Sequence, residues 1–179
     1  MCPYFSGSND KSIDGYTNAI KTVAYAHSEI HSGSHYSVCD YSLGLSTADE
    51  LEFAITTPDS LKEVNMLFKL YASDGATLDV YEGASSVVGG TTVTPMNNNR
   101  NSANASILTI KYNPTSITDG TKKEGFLAGA GRGESGIASR EDEIILKTNE
   151  TYLFRITSLG NSNSISYCAG WYEHTPKDI

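Results

Sequence analysis

A chain of 179 residues is long enough for one domain with a real core and too short to favour two. Only 19% of the residues are charged, against 39% hydrophobic, and the polarity comes from Ser, Thr, Asn and Gly, which favour turns and strand faces over helix interiors. With 13 basic against 21 acidic residues the formal net charge is -8, which supplies no cationic footprint for DNA or RNA, and no apolar stretch is long enough to cross a bilayer.

The chain opens on "MCPYFSGSNDKSIDGY", which has no basic start followed by an apolar run and so does not read as a secretory signal. Residues 1–25 alternate poorly and carry Tyr4, Phe5, Tyr16 and Tyr25 without a core of their own. They are read as an extended N-terminal arm, with 26–179 as a single domain. Such a segment finds its partner on its own domain or on a neighbouring subunit, and Tyr4, Phe5, Ile13 and Tyr16 are the candidate contacts.

"AHSEIHSGSHY" follows, with His27, His31 and His35 four apart and Glu29 between the first two. On a helix, a His-x3-His pair places two imidazoles on one face, a zinc-ligating geometry; on a strand, all four side chains share one face. Gly15, Thr17, Thr22 and Val23 count against a helix through "DGYTNAIKTVAYAHSEI", Ser32-Gly33-Ser34 would break one before His35, and no second ligand cluster is present. The histidines are therefore expected in a polar, partly exposed lead-in to a strand, with no metal and no cofactor.

From about residue 48, period-two alternation takes over. "ELEFAITTP" sets Leu51, Phe53 and Ile55 on one face; "VNMLFKLYASDG" does the same with Val64, Met66, Phe68 and Leu70, and "ATLDVYEG" with Leu78 and Val80. The last two are expected to form a hairpin across Asp74-Gly75. Residues 84–104 read as a polar connection with one short strand near Thr91–Thr94, and "ASILTIKYNP" as a strand stopped by Asn113-Pro114. The glycine-rich stretch from Thr115 to Asp142 is long for a connection in a compact domain, as functional or mobile loops are. "DEIILKTNETYLFRITS" predicts a second hairpin turning at Thr148–Glu150, and "SISYCAGWYEHTP" a final strand with Ile165, Tyr167, Ala169 and Trp171 on one face. Eight or so strands between turn signals predict an all-β, antiparallel β-sandwich, jelly-roll-like, with Phe53, Phe68, Leu78, Ile110, Leu146, Phe154 and Trp171 in its core.

Cys2, Cys39 and Cys168 form an odd set with no CxxC spacing and read as reduced thiols of a protein made in a cytoplasm. Cys39 and Cys168 fall within predicted strands as small apolar residues; a disulfide between them stays open but has no support in the sequence. "GAGRGESG" lacks the Lys-Ser/Thr ending and the strand-then-helix context of a phosphate loop. No nucleophile elbow occurs, and pairs such as Glu50/Glu52 are ordinary in an acidic chain. "WYEH" sets an acid beside a base, but neighbours on a strand face opposite ways, so it reads as a core Trp171 with Tyr172 at the surface. Nothing in these residues argues for an enzyme.

"AHSEIHSGSHYSV", "FAITTPD", "YEG" with "VVGGTTVTPMNNNRNS", "EIILKTNETYLFRITS" and the closing "WYEHTP" together resemble a family of small proteins that accompany the major capsid protein in tailed bacteriophages, the head decoration or auxiliary capsid proteins. The resemblance runs from about residue 24 to near the end, in structural phrases and not catalytic ones. It implies a jelly-roll-like sandwich, homotrimeric, made in the host bacterial cytoplasm and seated on the outer surface of the phage head. Its partners would be the major capsid protein and copies of itself, and Tyr4, Phe5, Ile13 and Tyr16 would touch capsid or subunit. The alternative reading is a carbohydrate- or receptor-binding module of a phage fibre, with Tyr36, Tyr41, Tyr81 and Tyr172 available to stack on a surface glycan.

Overall fold

The computed structural model describes residues 25–129 and 143–175. One helix, α1 (Tyr25–Ser32), precedes thirteen described strands: β1 (His35–Leu45), β2 (Glu50–Thr56), β3 (Glu63–Ala72), β4 (Ala76–Glu82), β5 (Ser85–Val88), β6 (Thr91–Val93), β7 (Met96–Asn97), β8 (Thr109–Tyr112), β9 (Ser116–Thr118), β10 (Thr121–Ala128), β11 (Ile144–Leu146), β12 (Thr151–Ser158) and β13 (Asn163–His174). One sheet runs β11-β3-β13-β1-β7, the other β10-β4-β12-β2-β8-β6, and β5 with β9 forms a separate ribbon. All pairings are antiparallel. The orders β11-β3-β13-β1 in one sheet and β10-β4-β12-β2 in the other give a jelly-roll-like sandwich, in which the chain changes sheets at every step of this eight-strand series except β4 to β10.

The strands that alternation picked out are in place, but their partners differ from expectation. β3 and β4 lie in different sheets, as do β11 and β12, so neither pair is a hairpin. The Asp74-Gly75 turn, with Gly75 at φ +79°, carries the chain across the core from one sheet to the other. The reason is the alternation itself: β3 and β4 each bury one apolar face, and facing sheets can cover both, whereas a hairpin alone covers neither. The 84–104 stretch holds three short strands instead of one, and β9 and β10 occupy much of the glycine-rich stretch expected as a loop; its residues 130–142 lie outside the described part.

All seven expected core residues are buried, and aromatic rings join the two sheets. Phe53 of β2 meets Tyr167 of β13 edge-on at 4.6 Å, and Phe68 of β3 stacks on Phe154 of β12 at 5.6 Å. Trp171 fills one end, stacked on Tyr36 at 6.1 Å.

Glu173 is only 2% exposed and lies on the Trp171 face of β13. Its carboxyl accepts hydrogen bonds from the Ser106 hydroxyl (2.6 Å), the Ile107 backbone N–H (3.1 Å) and the Trp171 indole N–H (3.0 Å). One side chain thereby fastens the segment before β8 to the end of the core. Tyr172, expected at the surface, is also buried, on the opposite face, where its hydroxyl donates to Glu143.

Glu173→Ala removes the acceptor of the buried Trp171 indole N–H and of two part-buried donors and should destabilise the fold by about 3 kcal/mol, with Glu173→Gln costing less because it keeps one acceptor oxygen. Urea denaturation of the three proteins checks the order; equal midpoints for the Ala variant and the parent would disprove the tie.

Candidate functional site

The "AHSEIHSGSHY" segment is helical where a strand lead-in was expected. The backbone closes α1 with Gly33 N–H donating to Ile30 O (3.1 Å) and Ser34 N–H to Glu29 O (3.0 Å), the paired C-terminal bonds of a Schellman motif, with Gly33 at φ +76°. Gly15, Thr17, Thr22 and Val23, which counted against a longer helix, lie outside the described residues. His27 and His31 stand on one exposed helix face with their Nε2 atoms 3.0 Å apart. Glu29 points the other way, buried, and accepts from the Ser34 hydroxyl. His35 begins β1, so the three imidazoles do not converge, and among the described residues no group of three or more His, Cys, Asp and Glu could hold a metal ion. Tyr4, Phe5, Ile13 and Tyr16 lie outside the described residues.

Cys39 and Cys168 are joined by a disulfide, which corrects their reading as separate thiols. They are directly opposed in the β1–β13 register, and their side chains lie on the solvent side of the sheet, Cys39 exposed and Cys168 half-buried, not in the core. The bridge closes a span of 129 residues.

That solvent side is the most site-like surface described. The register sets side chains in rows across β3, β13 and β1: Leu67–Gly170–Ser37, then Lys69–Cys168–Cys39, then Tyr71–Ser166–Tyr41. Met96 of β7 extends the first row beyond Ser37. Small residues occupy the middle and larger ones the flank, so the rows stack into a trough. It includes a groove of about 460 Å³ that His35, Asn98 and Arg100 also line.

Lys69, Arg100 and the His35 ring present donors to this groove. The Asn98 amide accepts from the Ser37 hydroxyl and donates to His35 Nδ1, both at 2.8 Å, which leaves the His35 proton on Nε2. Burial holds the His35 pKa below the usual imidazole range; the Glu29 carboxylate opposes that shift and the Lys69 ammonium adds to it. Lys69 and Arg100 are exposed and make no ion pair with the described residues, while the Arg100 guanidinium reaches the Asn97 carbonyl at 3.4 Å. Among the described residues, no carboxylate lines the groove.

The solvent face of the other sheet is the opposite case. Arg155 there is bound by Glu52 and Asp119, each at 2.7 Å, and lies over the Tyr81 ring at 5.3 Å. The guanidinium's hydrogen bonds hold the Asp119 carboxyl below its ordinary range. Lys122 pairs with Asp79, and Lys123 and Lys147 with Glu82. These four cations are each held by an acid of the same chain.

Of the four tyrosines expected to stack on a glycan, Tyr36 and Tyr172 are buried, Tyr81 is half-buried beneath Arg155, and Tyr41 is 65% exposed. Lys69, Arg100 and Met96 went unnoticed in the sequence, where each is an isolated residue; only the register brings them together.

Compared with known proteins, the chain matches no family model, and neither a curated protein nor a solved structure is significantly similar to it. No described helix is long and apolar enough to cross a membrane.

A folded-state pKa held low means that the unfolded chain binds more protons than the folded one as the pH falls through the ordinary imidazole range, so stability drops on acidification. Denaturation midpoints from about pH 7.5 to about 5.5 should show the parent losing its advantage over His35→Gln. A pH-independent difference between the two would remove the His35 contribution.

Proposed function

We propose that this chain is a structural protein of a tailed-phage virion, a head decoration protein that binds the outside of the capsid shell and stabilises it, as a homotrimer. The observation that carries the reading is an open sheet edge. β7 pairs with β1 only at Tyr36 and Ser37, and among the described residues no strand covers Val38–Leu45 on that side. Tyr41 and Leu43 on this stretch are 65% and 70% exposed. An open strand edge with exposed apolar side chains is a template for association, and a protein with a lasting partner covers it in the assembly.

Two further points support it. The quoted motifs resemble the decoration family from about residue 24 onward. A disulfide on a solvent-facing sheet also suits a protein that resides in an oxidising medium, as a virion surface does once outside the host. The mechanism is mass action: a protein that binds the assembled lattice and not its free subunits stabilises the lattice in proportion to occupancy. The N-terminal arm, through Tyr4, Phe5, Ile13 and Tyr16, is assigned the capsid or subunit contact.

Purified protein should cosediment with assembled heads stripped of it and stay in the supernatant with unassembled capsid protein, and removal of residues 1–25 should weaken the binding. Absence from the pellet of assembled heads refutes the reading. In sedimentation velocity, Leu43→Asp should shift a trimer toward monomer; an unchanged oligomer would clear the β1 edge of that role.

A further inference from the structure

We infer that the trough on the solvent face of β3, β13 and β1 binds carboxylated saccharides, with Lys69 and Arg100 engaging the carboxylate and His35 donating a hydrogen bond from Nε2. The first ground is charge complementarity. In a chain of net charge -8, this groove carries two cations that have no ion-pair partner among the described residues, and none of its described lining residues is a carboxylate, while Lys122, Lys123, Lys147 and Arg155 on the opposite side of the sandwich are paired with acids. A surface that leaves cations unneutralised in an acidic protein attracts anionic ligands and few others.

The second ground is hydrogen-bond polarity. The Asn98 amide and the Ser37 hydroxyl are spent on each other and on His35 Nδ1, which turns the imidazole into a fixed donor. The ammonium, the guanidinium and the Nε2–H have no acceptor among them, so the complementary ligand is an oxyanion.

The third ground separates a sugar from an acidic peptide. The floor lies over β13, whose backbone groups are consumed by pairing with β1 and β3, and the open β1 edge directs its N–H and C=O groups within the sheet plane, so the floor itself offers a peptide none of the main-chain hydrogen bonds by which extended segments are held. It offers instead flat apolar contacts from Leu67, Met96 and the disulfide, and beyond them Tyr41 and Tyr71 on either side of Ser166. Rigid rings with an apolar face and a pendant carboxylate fit that pattern.

This assignment does not depend on the capsid reading, because the soluble protein is sufficient to test it. Chemical-shift titration of the 15N-labelled chain with tri-galacturonate should perturb Ser37, Cys39, Cys168 and Gly170 selectively. Maltotriose should bind about tenfold more weakly, and Lys69→Gln and Arg100→Gln should each cost about tenfold in affinity. An unchanged amide spectrum away from the groove establishes that the variants fold. Equal binding of the acidic and neutral sugars, shifts outside the trough, or equally tight binding of a short poly-glutamate would each overturn the inference. Failure here with normal cosedimentation on heads would leave the decoration role standing; the reverse outcome would leave the sugar site standing alone.

Discussion

Strand β13 is the constraint on which the sandwich depends. It is hydrogen-bonded along most of its twelve residues to β1 on one side and to β3 on the other. Its inward side chains supply Ile165, Tyr167 and Trp171 to the core, and Glu173 ties down the segment before β8. Its outward side chains supply Cys168 to the disulfide and Gly170 to the groove floor. A register slip of one residue would exchange the two sets, burying Ser166 and Cys168 and exposing the aromatics, so core, cross-link and groove stand or fall on one pairing.

This division of faces bears on how the protein would serve an assembly. On one solvent face Arg155, Lys122, Lys123 and Lys147 are held by neighbouring acids, which leaves those cations little to offer a charged ligand. The other has cations without a carboxylate partner among the described residues and a floor of small side chains. The open β1 edge lies at the border of the second face. A copy or a capsid subunit covering that edge would leave the trough, set back over β13, turned toward solvent.

Much of the fold was legible in the sequence because burial of one sheet face writes itself as period two. Leu51, Phe53 and Ile55, or Val64, Met66, Phe68 and Leu70, needed no tertiary information. Pairing partners were not legible. The Asp74-Gly75 turn has the chemistry of a hairpin, but a turn specifies a reversal and not which sheet receives the returning strand. The helix was missed because its stabilisation comes from bonds at its C-terminal end, while the propensity of the residues before it argued the other way. The groove was invisible for a deeper reason: Lys69, the Met96–Arg100 stretch and Cys168 are separated by long stretches of chain and share a place only through three strand registers. The disulfide had one unused clue. In a jelly roll the first and last strands lie side by side, so half-cystines in the middle of each are natural partners.

The link between Cys39 and Cys168 encloses most of the chain in one covalent ring. A single proteolytic cut anywhere inside that ring opens it without releasing a fragment, since both pieces remain joined through sulfur and their strands remain interleaved in two sheets. A chain nicked once within this ring keeps its two pieces joined until a reductant opens the bridge, whereas a cut before Cys39 separates the N-terminal residues at once.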